Sequence, residues 1–234
     1  MSLKRTAKEA ARHFLYRTGL RRGPTHAAAG DRRERFAAIY EGKVWSYGRD
    51  DIPLSGEGSS IAATSVLRSS LPRVLEELGV RRMLDLGCGD FTWMSEVELP
   101  CDYVGVDIVT SVIEANQKAF SSKSREFQLA DAVQDHLPQA DVVLCREVLF
   151  HLSFADAFAA LQNILATGCT HLMLTSDRET SFNSDIATGD FRLLNLQRRP
   201  FSFPDPAGEI EDSAVFRGRF IGIWEASVIR RQLS

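Results

Sequence analysis

From about residue 80 onward the chain alternates short apolar runs with segments of helical period. Runs at 83–86, 103–108, 126–130, 142–146 and 171–175 are of strand length. The stretches 93–97, 110–120 and 153–166 carry apolar residues at i, i+3 and i+4 between them, the last with Ser153 as cap and Gly168 as terminator. Strands buried on both faces read as near-continuous apolar runs, and strand–helix alternation of this kind predicts an α/β, mostly parallel sheet covered by helices on both sides. After Asp177 the rhythm changes. A polar loop with Asn183, Asp185 and Gly189 leads into a proline-bearing stretch, and residues 219–229 (RFIGIWEASVI) read as one long, antiparallel final strand. Upstream, Asp31 with Glu34 three residues on makes a capping pair for a helix whose face is Phe36, Ile39 and Tyr40. A loop over 41–58 follows. Then Ile61, Val66, Leu67, Leu71, Val74, Leu75 and Leu78 mark one face of a long helix stopped by Gly79, with Pro72 predicting a kink or a break.

The 234 residues, 44% hydrophobic and 25% charged, suit one large domain or a domain with an appendage. Charge divides the chain more sharply than periodicity does. Residues 1–35 hold ten Lys or Arg against three acids, a net +7 within a chain of net −3. This places a basic N-terminal arm at 1–35 and one domain at 36–234. Leu3, Ala7, Ala10, Phe14 and Leu15 fall near helical spacing, and Gly19, Gly23, Pro24 and Gly30 punctuate a linker. The arm reads as a solvated helix packed by one stripe, with an RNA-binding arm, a membrane-surface helix and a transit peptide as alternatives. Cys88, Cys101, Cys145 and Cys169 form no CxxC pair and no zinc spacing, which suits a reducing, cytoplasmic setting. No stretch reaches the ~20 apolar residues of a membrane span, and no apolar signal segment opens the chain.

The clearest chemical signal is Met83-Leu84-Asp85-Leu86-Gly87-Cys88-Gly89-Asp90-Phe91. Glycines at the end of a first strand let a ligand approach the backbone, and a following helix presents unpaired N–H groups. A dinucleotide fingerprint needs a third glycine, and its position here is Thr92; Asp85 beside the turn would also repel a pyrophosphate. Asp107 ends the second strand 20 residues beyond Gly87, where an acid hydrogen-bonds ribose hydroxyls. Asp131 ends the third, positioned for an adenine amino group. Three acids at successive strand ends suit S-adenosylmethionine, a nucleoside with a sulfonium cation, better than a nicotinamide dinucleotide.

On these residues the sequence resembles class I S-adenosylmethionine-dependent methyltransferases: LDLGCGDF (84–91), YVGVDI (103–108), LAD (129–131) and DVVLCREVLFHLS (141–153). GEGSS (56–60), GDFTWM (89–94), CREVLFHLSF (145–154) and GDFRLLNLQRRPFSFPDP (189–206) are similar to a small-molecule branch of that family whose substrate is unassigned. The resemblance spans about 36–229. It implies a Rossmann-like, seven-stranded sheet of order 3-2-1-4-5-7-6 with strand 7 antiparallel. It also implies a cofactor site drawn from Ser59, Asp85, Gly87, Cys88, Gly89, Asp107, Ile108, Asp131, Ala132 and Cys145. Phe91 departs from the commoner GxGxG and implies a wider start to the next helix.

The fourth strand delivers Arg146, Glu147 and His151 to the same sheet edge. Methyl transfer needs an aligned nucleophile and, for a hydroxyl or a protonated amine, removal of its proton. His151 has the intrinsic pKa for that task, although a His in an x-x-L-x-H-L stretch also packs or caps. Glu147 accepts a substrate hydroxyl or Arg146 clamps an anion; alternatively the two pair with each other. Arg192 and Asn195 are further substrate candidates. Trp45, Tyr47, Trp93 and Phe150 wall a pocket or fill the core, and Ser59 and Ser60 meet the cofactor or cap a helix. No Asn/Asp-Pro-Pro-Tyr/Phe motif follows the fourth strand, no Pro-Cys dipeptide presents a nucleophile, and no metal-ligand cluster is visible. These absences disfavour base-amine, cytosine and metal-dependent methylation, while the three-acid cofactor edge and the base-bearing fourth strand turn the reading toward O-methylation of a small metabolite or sugar derivative over N-methylation. An RNA methyltransferase using the basic arm, and a non-catalytic cofactor-binding protein, are the alternatives.

Overall fold

A computed structural model describes Ala11 and residues 30–233. The helix and linker expected within the first 29 residues therefore lie outside the described residues. Seven strands form one sheet: β1 (Arg82–Leu86), β2 (Asp102–Asp107), β3 (Arg125–Leu129), β4 (Val142–Cys145), β5 (His171–Asp177), β6 (Gly208–Glu211) and β7 (Arg219–Glu225). Their order is β3-β2-β1-β4-β5-β7-β6. The first five run parallel, while β7 is antiparallel to both β5 and β6. This is the sheet the sequence resemblance implied.

Apolar residues cover both faces. One face carries Leu84, Val104, Val106, Val143, Leu172 and Trp224 under helices α1 (Arg32–Glu41), α4 (Phe154–Ala166) and α5 (Ala226–Gln232). The other carries Met83, Tyr103, Phe127, Val142, Leu144 and Ile221 beneath α2 (Ser65–Glu77), with α3 (Thr110–Phe120) contributing Ile113 and Phe120. Burying a large aliphatic side chain contributes about 1.5–3 kcal/mol, so these two layers supply the driving force for folding.

Local chemistry sets the helix ends. Asp31 and Glu34 form a capping box, Glu34 N donating to Asp31 Oδ1 at 2.9 Å and Asp31 N to Glu34 Oε2 at 3.1 Å. Helix α1 thus begins at Arg32, and a boundary drawn at 35/36 falls inside it. Ser153 caps α4 by accepting from Asp156 N.

Four expectations are corrected. The segment at 93–97 is a single 3-10 turn, Met94–Glu96, and no α-helix follows β1. Helix α2 starts at Ser65, because residues 60–64 close a turn in which Thr64 Oγ1 donates to the Ser60 carbonyl at 2.9 Å; Ile61 and Val66 are exposed. The helix also runs through Pro72 without the break that was one of the two outcomes expected there. The last strand stops at Glu225, opposite His171 where β5 begins, so the chain has no partner strand beyond it and turns into α5. Among the described residues no helix is long and apolar enough to cross a membrane.

Candidate active site

In a parallel sheet the strands' carboxyl ends share an edge, and ligands bind outside it. A cleft of about 960 Å3, its open mouth included, lies at the ends of β1 to β4. Its floor is the turn after β1. Gly87 and Gly89 have φ of +76° and +57°, and a Cβ would run into the Val148 side chain at the first and Ser55 Oγ at the second. Asn116 Nδ2 braces the turn by donating to the Gly89 carbonyl at 2.7 Å. The third position, Phe91, has φ +58° yet is not glycine. Its ring is buried against Tyr103, Phe120 and Phe127 with centroids 5.0–5.2 Å apart, and this packing holds the left-handed backbone. Only a 3-10 turn follows, so the helix N-terminus expected directly after this glycine turn is not there.

The three acids line this one cleft. Asp107 accepts from Gly89 N at 3.1 Å and Val109 N at 3.0 Å, one bond per oxygen. A carboxylate has about four acceptor sites, so capacity for a ligand diol remains. Burial pushes its pKa up, against those two backbone donors. Asp85 is more deeply affected: burial raises it to about 7, opposed by the Tyr103 hydroxyl that donates to Oδ2 at 2.8 Å. Asp131 differs from expectation. Its Oδ2 accepts from Arg32 Nε at 2.8 Å and its Oδ1 from Val133 N at 2.9 Å, so α1 already holds the carboxylate read as an adenine contact.

At the β4 end, Glu147 has φ +64° and its backbone N–H donates to Thr175 Oγ1 at 2.8 Å. Arg146 and Glu147 do pair, at 3.2 Å, but within a larger buried set. Arg146 makes a two-pronged contact with Asp212 at 2.9 and 3.0 Å, and Arg219 reaches Glu147 Oε1 at 2.7 Å. Burial alone would raise the Glu147 carboxyl; Arg146 and Arg219 outweigh it and hold the group below its usual value. His151 Nδ1 lies 3.0 Å from the Asp190 carbonyl, which places the proton on Nδ1 and leaves Nε2 as the acceptor. Burial lowers its pKa, partly offset by that carbonyl and by Glu147. Its ring packs against Trp45 at 4.8 Å and Phe191 at 5.4 Å.

Of the residues singled out in the sequence, Ser59, Asp85, Gly87, Cys88, Gly89, Asp107, Ile108, Asp131, Ala132, Arg146, Glu147 and His151 line the cleft, with Trp45 and Trp93. Cys145 does not: it is buried in the core, where burial pushes its thiol to about 12. Phe150 is core, Tyr47 is exposed, Arg192 donates to the Leu149 and Phe150 carbonyls, and Asn195 braces its own loop through the Thr180 carbonyl. The structure adds Arg32, Phe36 and Tyr40, one stripe of α1, together with Ser55, whose Oγ sits 2.9 Å from the Tyr40 hydroxyl. The capping box announced that stripe; the boundary at 35/36 hid its first member. Asp212 and Arg219 had no local signal. Among the described residues no group of three or more His, Cys, Asp or Glu is placed to hold a metal ion.

The family described as "Methyltransferase domain" matches residues 84–167, from β1 through α4. No curated protein matches the sequence. Among solved structures, magnesium protoporphyrin IX methyltransferase from Synechocystis PCC 6803 with bound SAH is similar, at TM-score 0.57 and 18% identity over 82% of this chain and 96% of that one. Human N-acetylserotonin methyltransferase in complex with SAM has TM-score 0.60 and 18% identity, over 95% of this chain and 68% of that one.

Proposed function

We propose that this class I S-adenosylmethionine-dependent methyltransferase methylates a hydroxyl group of a small metabolite or sugar derivative, with His151 as general base. The residues fit the cofactor. Asp107 retains acceptor capacity for a ribose diol, Ile108, Ala132 and Val133 give apolar and backbone surroundings for a base, and Asp85 offers an anion to a positively charged ligand. S-adenosylmethionine supplies the activated methyl group when bound. The chain's own task is to hold the acceptor and take its proton.

The observation that carries the reading is the state of His151. Its Nδ1 is committed to the Asp190 carbonyl, and burial keeps the ring neutral at physiological pH. A neutral imidazole accepts a proton at Nε2, which is what a hydroxyl nucleophile requires. Glu147 beside it accepts a hydroxyl hydrogen and, by its charge, favours the imidazolium formed as the proton arrives. Arg146 is committed to Asp212 and Glu147, so the anion-clamp role has no support from the geometry. Four free thiols suit the cytoplasm.

The test is labelled methyl donor with a small-molecule extract, read by mass spectrometry. A labelled methoxy product supports the reading; label on nitrogen contradicts it. With that acceptor, His151→Ala is expected to lower kcat about 10²–10⁴-fold while S-adenosylhomocysteine affinity is kept, and unchanged turnover would reject the role. Because the His151 pKa is lowered, kcat at saturating cofactor should stay level from pH 8 through about 6.5 and fall only below that value.

A further inference from the structure

Four charged side chains from two separate stretches of the sequence meet at the acceptor side of the cleft. Because β7 runs antiparallel to β5, its first residue, Arg219, lies opposite Asp177 at the carboxyl end of β5, the edge where β4 also ends. Asp212 follows β6 and donates its backbone N–H to the Arg219 carbonyl at 3.2 Å. Arg219 Nε returns a bond to the Asp212 carbonyl at 2.8 Å. Two cations, Arg146 and Arg219, are thus balanced by two anions, Asp212 and Glu147.

Of the four, Asp212 and Arg219 are sealed from solvent, with side-chain exposure of 0%, and Arg146 is nearly so at 6%. Glu147 is 22% exposed and lines the cleft. Its Oε1 pairs electrostatically with both guanidinia but, like Oε2, has no hydrogen-bond partner among the described residues. Gly58 makes room for it, since a Cβ there would run into the Glu147 carboxylate. The left-handed backbone at Glu147 is strained, and the Thr175 bond and the two arginines hold it there. A neighbouring anion in such a half-buried place is repelled, whereas a hydroxyl or ammonium donates to a waiting oxygen.

We propose that Arg219 and Asp212 are positioning residues that hold Glu147 as a fixed anion at the acceptor end of the cleft. The site therefore takes hydroxyl- or amine-bearing acceptors without phosphate or carboxylate groups. The inference rests on the methyl-transfer reading above and adds to it the charge class of the acceptor.

The experiment incubates the full chain with methyl-labelled S-adenosylmethionine and a small-molecule extract split by anion exchange into retained and unretained fractions. Label is expected in the unretained fraction alone. With the acceptor so found, Glu147→Gln should raise KM about tenfold or more, and Arg219→Met should lower turnover about tenfold. S-adenosylhomocysteine affinity should shift by less than about threefold in both, a split that general loosening of the fold would not produce. Arg219→Lys, which restores a cation, should recover most of the loss. If Arg219→Met does not fold, the lysine and glutamine variants carry the same decision. Label in the retained, anionic fraction overturns the inference and leaves methyl transfer standing, as does wild-type turnover in Arg219→Met. No label in either fraction, with S-adenosylhomocysteine bound, overturns the methyl-transfer reading and this inference together.

Discussion

Asp85 is a carboxylate held where a carboxylate is costly. It is 4% exposed, and its folded pKa of about 7 exceeds its ordinary 3.8. A carboxyl raised in the folded state contributes stability below the unfolded pKa and loses it as pH rises through the folded one. Between about pH 4 and pH 7 the fold should therefore weaken, by at most ~1.4 kcal/mol per pH unit. Asp85→Asn keeps an acceptor for the Tyr103 hydroxyl and removes this cost, so its melting temperature at pH 7.5 should rise, by about 2–4 °C per kcal/mol recovered. The same variant should bind S-adenosylmethionine more weakly, because the ligand's positive charge has lost its buried counter-charge. For the wild type, affinity should fall as pH drops from 8 to 6. A melting temperature unchanged in Asp85→Asn, or pH-independent affinity, contradicts this account of the residue. Phe91 poses the opposite case: its backbone is strained but its ring ties three aromatic neighbours together. Phe91→Ala is expected to cost about 3–5 kcal/mol in chemical denaturation. At this scale the sequence announced Asp85, Asp107 and His151 through strand-end position. It could not announce that Arg32 would take Asp131, or that Arg219 would take Glu147, since those contacts join residues 99 and 72 positions apart.

Helix α1 shows how an element at the border of a charge-defined arm becomes a wall of the site. Arg32, Phe36 and Tyr40 recur every four residues and all three line the cleft. Arg32 anchors the helix through Asp131 at 2.8 Å, Gln134 at 3.1 Å and Asp156 at 3.3 Å. Arg32→Ala should speed amide hydrogen exchange over residues 32–41 and weaken S-adenosylhomocysteine binding several-fold; unaltered exchange and affinity would show the anchor to be idle. Elements with a strong local signal, such as the Asp31–Glu34 box and the Ser153 cap, were legible from the chain alone. Those decided by a distant partner were not: the end of β7 follows from where β5 begins, and the missing helix after β1 follows from Phe91 turning into an aromatic cluster.

At the scale of the whole molecule, the order of the strands assembles the chemistry. Parallel β1 to β4 bring Asp85, Asp107, Asp131 and Glu147 to one edge, and the reversed β7 returns Arg219 to it from the end of the chain. Apolar periodicity and glycine punctuation carried the sheet; the pairing of its charges depends on how the finished sheet folds back on itself. Of the basic segment 1–35, Arg32 and Arg33 pair with acids of the domain. The central claim is that this edge holds an adenosyl cofactor through its acids, and calorimetric titration with S-adenosylhomocysteine tests it most directly. One site of micromolar or tighter affinity is expected, weakened at least about tenfold in an Asp107→Ala variant that melts as the wild type does. No heat at about 1 mM ligand, or binding indifferent to Asp107, would contradict it.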